Sequence, residues 1–312
     1  MTTKKNGDSL AIDEITLRSF LESKPTGRIE KENIVFDETT HCLEITGITC
    51  IEDVFSIHAD QIFKSINFVG CTLERIEFSK IKLLDDVEFR FTRCFIKELY
   101  IEGDKRMSLT VNDTRLDVLH VNETLNHLSI RNRSLELPEI KLLQLNGNYS
   151  EGQSIGIPRY ELENLKVKTL DILLVSAFTF IKSSIIENFT CQPVESGSIW
   201  IQDGCSISTF QLHPLSGYVS VTKSRLGLIR IHTSGQNDAP GDDAALDVVD
   251  STINELSIVN NAQIQSLRID GVSVVNNLNL LHGSAKNVYI QCRHIDKFNI
   301  DIGWFRFDQM TV

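Results

Sequence analysis

The chain has 312 residues, 41% of them apolar and 23% charged, with 31 Lys and Arg against 42 Asp and Glu and a formal net charge of −11. This composition belongs to a folded chain and excludes long disorder. It also argues against a general nucleic-acid binder, which needs a basic face to displace counterions from phosphates.

Residues 1–33 read as an N-terminal extension. The opening "MTTKKNGDSLAIDE" has two lysines but no apolar run behind them, so no secretory leader is expected. Within it, Leu10, Leu17, Phe20 and Leu21 form one helical stripe that Pro25 would stop. The spacing predicts a short helix over residues 9–23, which would cap the domain that follows or bind a partner.

Residues 34–312 read as one domain carrying a single motif many times over. "CTLERIEF" (71–78), "CFIKELYI" (94–101), "TRLDVLHV" (114–121), "CSISTFQL" (205–212) and "STINELSI" (251–258) obey one rule. A small residue is followed by an apolar one two positions on, then by apolar-x-apolar. The pairs include Ile66/Phe68, Ile76/Phe78, Leu99/Ile101, Phe178/Phe180, Ile199/Ile201 and Leu256/Ile258, and they return every 10–12 residues in the clearest regions. Alternation of this kind is a strand signature, with one face buried and Glu, Lys, Arg and Asn on the other. Strands this short are not stable alone, and stacking similar turns covers each with its neighbours. The fold predicted is therefore all-β, a parallel β-solenoid with a helical cap. The small residue is expected at an inward corner, where a large side chain would collide with the stack. Tyr160 and Arg293 are exceptions at the equivalent position.

These residues resemble two consecutive pentapeptide repeats, each with a small residue two positions before an apolar one. The resemblance spans roughly residues 40–300 and implies a right-handed parallel β-helix. A leucine-rich horseshoe is the rival, since "IKLLQLNGN" (140–148) and "INELSIVNN" (253–261) satisfy its core pattern.

Several residues are candidate sites. Asp238, Asp242, Asp243 and Asp247 cluster in the longest interruption, 232–247, a Gly/Pro/Asp-rich loop expected on the surface and a candidate for binding a partner. Their spacing is not that of a calcium loop. Glu74, Glu77, Glu98 and Glu102, beside Arg75 and Lys97, could form a carboxylate column of the kind carbohydrate-cleaving enzymes need, or simply a solvated strand face. The eight histidines make no zinc-type cluster, although His120 and His127 could stack on adjacent turns. Seven cysteines without a CxxC pair read as reduced thiols in a cytoplasm, and Cys71, Cys94 and Cys205 fall on the small corner position. No stretch approaches the roughly 20 apolar residues of a membrane span. No catalytic, cofactor or metal site is expected.

The function expected is that of a non-catalytic scaffold presenting a rigid face to a protein partner, with self-association through the solenoid ends as a further option. Two alternatives stand beside it. The pentapeptide resemblance implies an acidic mimic of DNA that inhibits a DNA-handling enzyme. The outer carboxylates suggest a polysaccharide-binding or -cleaving β-helix of phage or bacterial origin.

Overall fold

The computed structural model describes residues 29–312 apart from 32, 57–62, 80–84, 103–105, 123–124, 134–135, 137, 148–157, 193–196, 214–216, 233–243 and 302–303. Those residues fold as a parallel β-solenoid of about ten turns, and none of them is helical. The helix expected over 9–23 lies outside the described residues. By its contacts the chain divides into two compact units, one reaching Val121 and including Leu125–Ile130, the other running from Arg131 to Val312 and including Asn122–Thr124.

In each unit alternate strands fall into two sheets, called sheet 1 and sheet 2 below. In the first unit sheet 1 begins with Ile29–Lys31, Ile34–Asp37 and Cys42–Thr46, which pair antiparallel and bury Ile34 and Phe36. Parallel pairing then runs through Ser65–Val69, Val87–Thr92 and Met107–Asn112. In the second unit sheet 1 runs from Arg159–Glu163 through Phe178–Lys182, Ser198–Gln202, Tyr218–Thr222, Ala245–Val249, Ala262–Asp270 and Gly283–Gln291 to Phe305–Thr311. Sheet 2 takes the intervening strands, mostly seven or eight residues long, such as Thr72–Ser79 and Thr252–Ile258. A horseshoe would carry one concave sheet; two sheets per coil exclude it.

A coil is thus two strands, and the inward residues keep one spacing. In one coil they are Ile66, Phe68, Cys71, Leu73, Ile76 and Phe78; in another Leu246, Val248, Ser251, Ile253, Leu256 and Ile258. Steps of two lie within a strand face, where alternate side chains share a side. Steps of three mark the corner between sheets and a bend within each sheet 2 strand. All twelve are 2% exposed or less. Burying each large member contributes roughly 1.5–3 kcal/mol. Similar residues lie over one another on adjacent coils, so rings stack, as in Phe68 on Phe91 (4.8 Å between centroids) and Phe189 on Phe210 (4.9 Å).

The corner from sheet 1 to sheet 2 explains the small residue more fully than steric room does. It is usually two residues. The first adopts positive φ, as at Gly70, Arg93, Asp113, Asn164, Ser183, Lys223 and Asp250. The second points inward: Cys71, Cys94, Thr114, Leu165, Ser184, Ser224 and Ser251. Where it is a hydroxyl residue, its side chain can bond in two directions, as at Thr114, Ser184, Ser251 and Ser273. Ser251 Oγ donates to Val249 O at 2.8 Å and accepts the backbone N–H of Ser224, one coil back, at 3.1 Å. Ser273 Oγ does the same toward Asp270 O (2.6 Å) and Ser251 N–H (3.2 Å). Thr114 Oγ1 serves Asn112 O (2.9 Å) and Cys94 N–H (3.2 Å), and Ser184 serves Lys182 O (2.7 Å) and Leu165 N–H (3.1 Å). Without these acceptors the N–H groups of Cys94, Leu165, Ser224 and Ser251 would be buried unpaired.

Candidate interaction surface

The one-residue phase of a strand decides which side chains face water. Strand Phe178–Lys182 is the informative case. The sequence pairs Phe178 with Phe180 as inward residues; in the structure Thr179 and Ile181 are buried, at 1% and 0% exposed, and both phenylalanines face outward. Register fixes this. Thr179 lies between Tyr160 and Ile199, and Ile181 between Leu162 and Ile201. Tyr160 is likewise an inward strand residue and not a corner, 1% exposed, and the small Thr179 beside it makes room.

The outward phenylalanines begin a ladder on sheet 1 of the second unit. One column of cross-coil partners reads Glu161, Phe180, Trp200, Ser220, Asp247, Arg268, Tyr289. The adjacent column places Arg159, Phe178, Ser198 and Tyr218 in order. Phe180 and Trp200 stack face to face, 4.8 Å apart and 10° from parallel. The Arg159 guanidinium lies over the Phe180 ring at 4.8 Å. Phe178 and Tyr218 meet Trp200 edge-on at 5.5 and 6.3 Å. Ser198 and Ser220 are small, which leaves the Trp200 indole and the Tyr218 ring space to lie along the sheet.

Charge closes both ends of this apolar strip. Arg159 Nε donates to Glu161 Oε1 at 2.7 Å, and Arg131 reaches both Glu161 and Glu163. At the other end Tyr218 donates its hydroxyl to Asp247 Oδ2 at 2.9 Å, and Arg268 pairs with Asp270. Burial raises the Tyr218 phenol above its ordinary value; Ser220 opposes the rise, and the Asp247 carboxylate that accepts its hydroxyl adds to it. The Arg268 pair holds the Asp270 carboxyl below the usual carboxylate range, with help from the Gly271 N–H. Fixed pairing of this kind leaves the strip between them uncharged.

The acidic loop fares differently. Asp238, Asp242 and Asp243 lie outside the described residues, while Asp247 is a residue of strand Ala245–Val249 and belongs to the ladder just described. Two acids of the carboxylate column in the first unit form cross-coil ion pairs: Lys97 Nζ donates to Glu74 at 3.0 Å, and Arg75 lies 3.9 Å from Glu98. His120 stacks on Tyr100 at 4.7 Å, and the Arg75 guanidinium lies over that ring at 5.2 Å.

All seven cysteines are free thiols. Burial pushes Cys191 and Cys205 above the ordinary thiol value, and Cys94 is pushed up by the contact with Cys71 and by burial. The same contact, with Cys94 donating, lowers Cys71, a residue 1% exposed in a closed corner. These are packing thiols. No group of three or more His, Cys, Asp or Glu side chains able to hold a metal occurs among the described residues. None of those residues forms a helix long and apolar enough to cross a membrane.

The signal for the ladder was present in the sequence. "FTFIK" alternates Phe178, Phe180 with Thr179, Ile181, and either phase looks apolar; only the neighbouring "SIWIQ", with Trp200 between two isoleucines, favours the phase observed. Compared with known proteins, the chain matches no family model, no curated protein and no solved structure.

Proposed function

We propose that this protein is a non-catalytic binding scaffold whose outward aromatic ladder, centred on Trp200, docks a neutral apolar patch of another protein. The observation that carries this reading is the placement of Phe178, Phe180, Trp200 and Tyr218 on a solvent-facing strand surface, where alternation normally puts polar residues. Trp, Tyr and Arg dominate the energetics of protein interfaces, and a rigid sheet presents them without ordering cost.

The ring geometry disfavours the polysaccharide alternative. A sugar stacks on an open ring face, but Arg159 and Trp200 cover the two faces of Phe180. Mimicry of DNA needs an unbroken run of unpaired negative charge; the outward acids Glu74, Glu88, Glu98, Glu161 and Asp270 each have a basic partner. The inward spacing of two and three residues supports the pentapeptide-like reading of the repeat, and seven free thiols support a reducing compartment.

The test is site-specific photocrosslinking from position 198, beside Trp200, in the native cell. The parent protein should yield one dominant protein adduct, and Trp200→Ala should lose it while keeping its melting temperature within a few degrees. Retention of the adduct in Trp200→Ala, or saturable binding of a glycan that quenches Trp200, sinks the reading.

A further inference from the structure

The last coil of the second unit is open. Strands His294–Ile300 and Phe305–Thr311 are the terminal strands of sheets 2 and 1. Each is paired on one side only, so the other side presents a row of backbone donors and acceptors. Their inward positions continue the core register: Ile295, Phe298 and Ile300 align with Val275, Leu278 and Leu280, and Phe307 with Ala285. One coil earlier these side chains are 0–2% exposed; here Phe298 is 37% and Phe307 39% exposed, and Trp304 beside them is 66% exposed. No described residue covers this layer.

The order of residues along His294–Ile300 says what fits it. In an antiparallel pair, directly opposite residues point to the same side of the sheet. When this strand is laid against a two-fold copy of itself with the dyad between Asp296 and Lys297, Ile295 meets Phe298 and Phe298 meets Ile295, all on the core side. Asp296 meets Lys297 and Lys297 meets Asp296 on the solvent side, where both are exposed. His294 meets Asn299. Six consecutive positions are therefore their own complement in polarity, in charge and in facing, which an arbitrary partner strand has no reason to match.

We infer that two copies of this chain associate end to end, their His294–Ile300 strands pairing antiparallel about a dyad between Asp296 and Lys297. The contact is isologous and closes after two copies, so it blunts the open edge instead of propagating a fibre. Ile295 and Phe298 become core residues of the joint sheet, and two Asp296–Lys297 pairs fix the register.

Sedimentation equilibrium of the full chain tests this, with matched circular dichroism and melting curves as the folding control. The parent should be a monomer–dimer system at micromolar concentration. Asp296→Lys and Lys297→Asp each place like charges opposite one another and should weaken the dimer about tenfold or more. The double exchange Asp296→Lys/Lys297→Asp restores opposite charges in the same register and should return the dimer to within about threefold of the parent. A parent that stays monomeric at high micromolar concentration overturns the inference. So does a double exchange as weak as the single ones, or a parent that dimerises only after removal of residues 1–28, which would mean that segment covers the end.

Discussion

Each coil turns two corners, and the two differ. The corner from sheet 1 to sheet 2 is almost always two or three residues long, as in Gly70–Cys71 or Asp250–Ser251, and where its inward side chain is a hydroxyl, as at Ser251 and Ser273, it is hydrogen bonded to the corner one coil back. Only the stretch between Arg131 and Ile140 is longer. The corner from sheet 2 back to sheet 1 ranges from two residues between Leu280 and Gly283 to thirteen between Ile231 and Ala245. The first corner is locked because its backbone polar groups are buried, so a change in length would orphan them. The second is free to vary in length because loop closure costs rise slowly with length.

The largest expected effect comes from breaking the locked corner. Ser251→Leu overpacks it and removes the acceptor of the Ser224 N–H, and should cost about 2–6 kcal/mol in urea unfolding. A loss under about 1 kcal/mol would show that the corner is not closed.

A pair of smaller substitutions separates hydrogen bonding from room. The corner thiols make long contacts, with Cys71 Sγ 3.4 Å from Ile45 O and 3.5 Å from Val69 O, whereas Ser251 makes its own-turn bond at 2.8 Å. Ser251→Ala leaves a buried N–H unpaired and should cost about 1–3 kcal/mol, while Cys71→Ala should cost about 1 kcal/mol or less. Equal costs in the two unfolding curves would mean that the hydroxyl ladder contributes nothing beyond packing.

At the variable corner, replacing residues 233–243 by a short Gly/Ser linker should change stability by about 1 kcal/mol or less. The cut must stop before Ala244, which is 0% exposed, and must spare Asp247, whose removal would disturb Tyr218. A large fall in melting temperature would show that the loop braces the coil.

The smallest effect is on pH. His213 and His232 close adjacent coils at the variable corner, their rings 3.9 Å apart. Burial, then the His232 charge, holds His213 below its ordinary value of 6.5. The fold therefore favours neutral His213. Its contribution is fully present above pH 6.5 and is lost as pH falls through the lower folded value. Melting temperatures measured from pH 7.5 to 5 should decline over that window in the parent, and less in His213→Gln. Identical slopes would remove His213 as the cause.

These corners also show what was legible in the sequence. The apolar pairs announced the strands because period two is a local property, and Cys71, Cys94 and Ser251 were placed at inward corners by their size. The second task of Ser251, accepting an N–H from the preceding coil, is not visible in the sequence because it depends on which coil stacks beneath. The same holds at Phe178 and Phe180: either phase satisfied the local pattern, and only pairing with Tyr160 and Ile199 chose between them. Asp247 was grouped with the loop on composition, and pairing with Ser220 and Arg268 makes it a strand residue. The rings that the sequence assigned to the core are the ones now proposed to meet a partner.

The chain contains two tryptophans, and they divide between the two surfaces. Trp200 sits against Phe180 in the ladder, and Trp304 stands 66% exposed at the open end, 5.6 Å from His282. Each surface thus carries its own built-in optical reporter. Replacing one indole by phenylalanine leaves emission that follows the other surface alone. A blue shift on dilution-reversible self-association should belong to Trp304, and one on addition of a second protein to Trp200, so a single fluorometer can time the two events separately in an unlabelled chain.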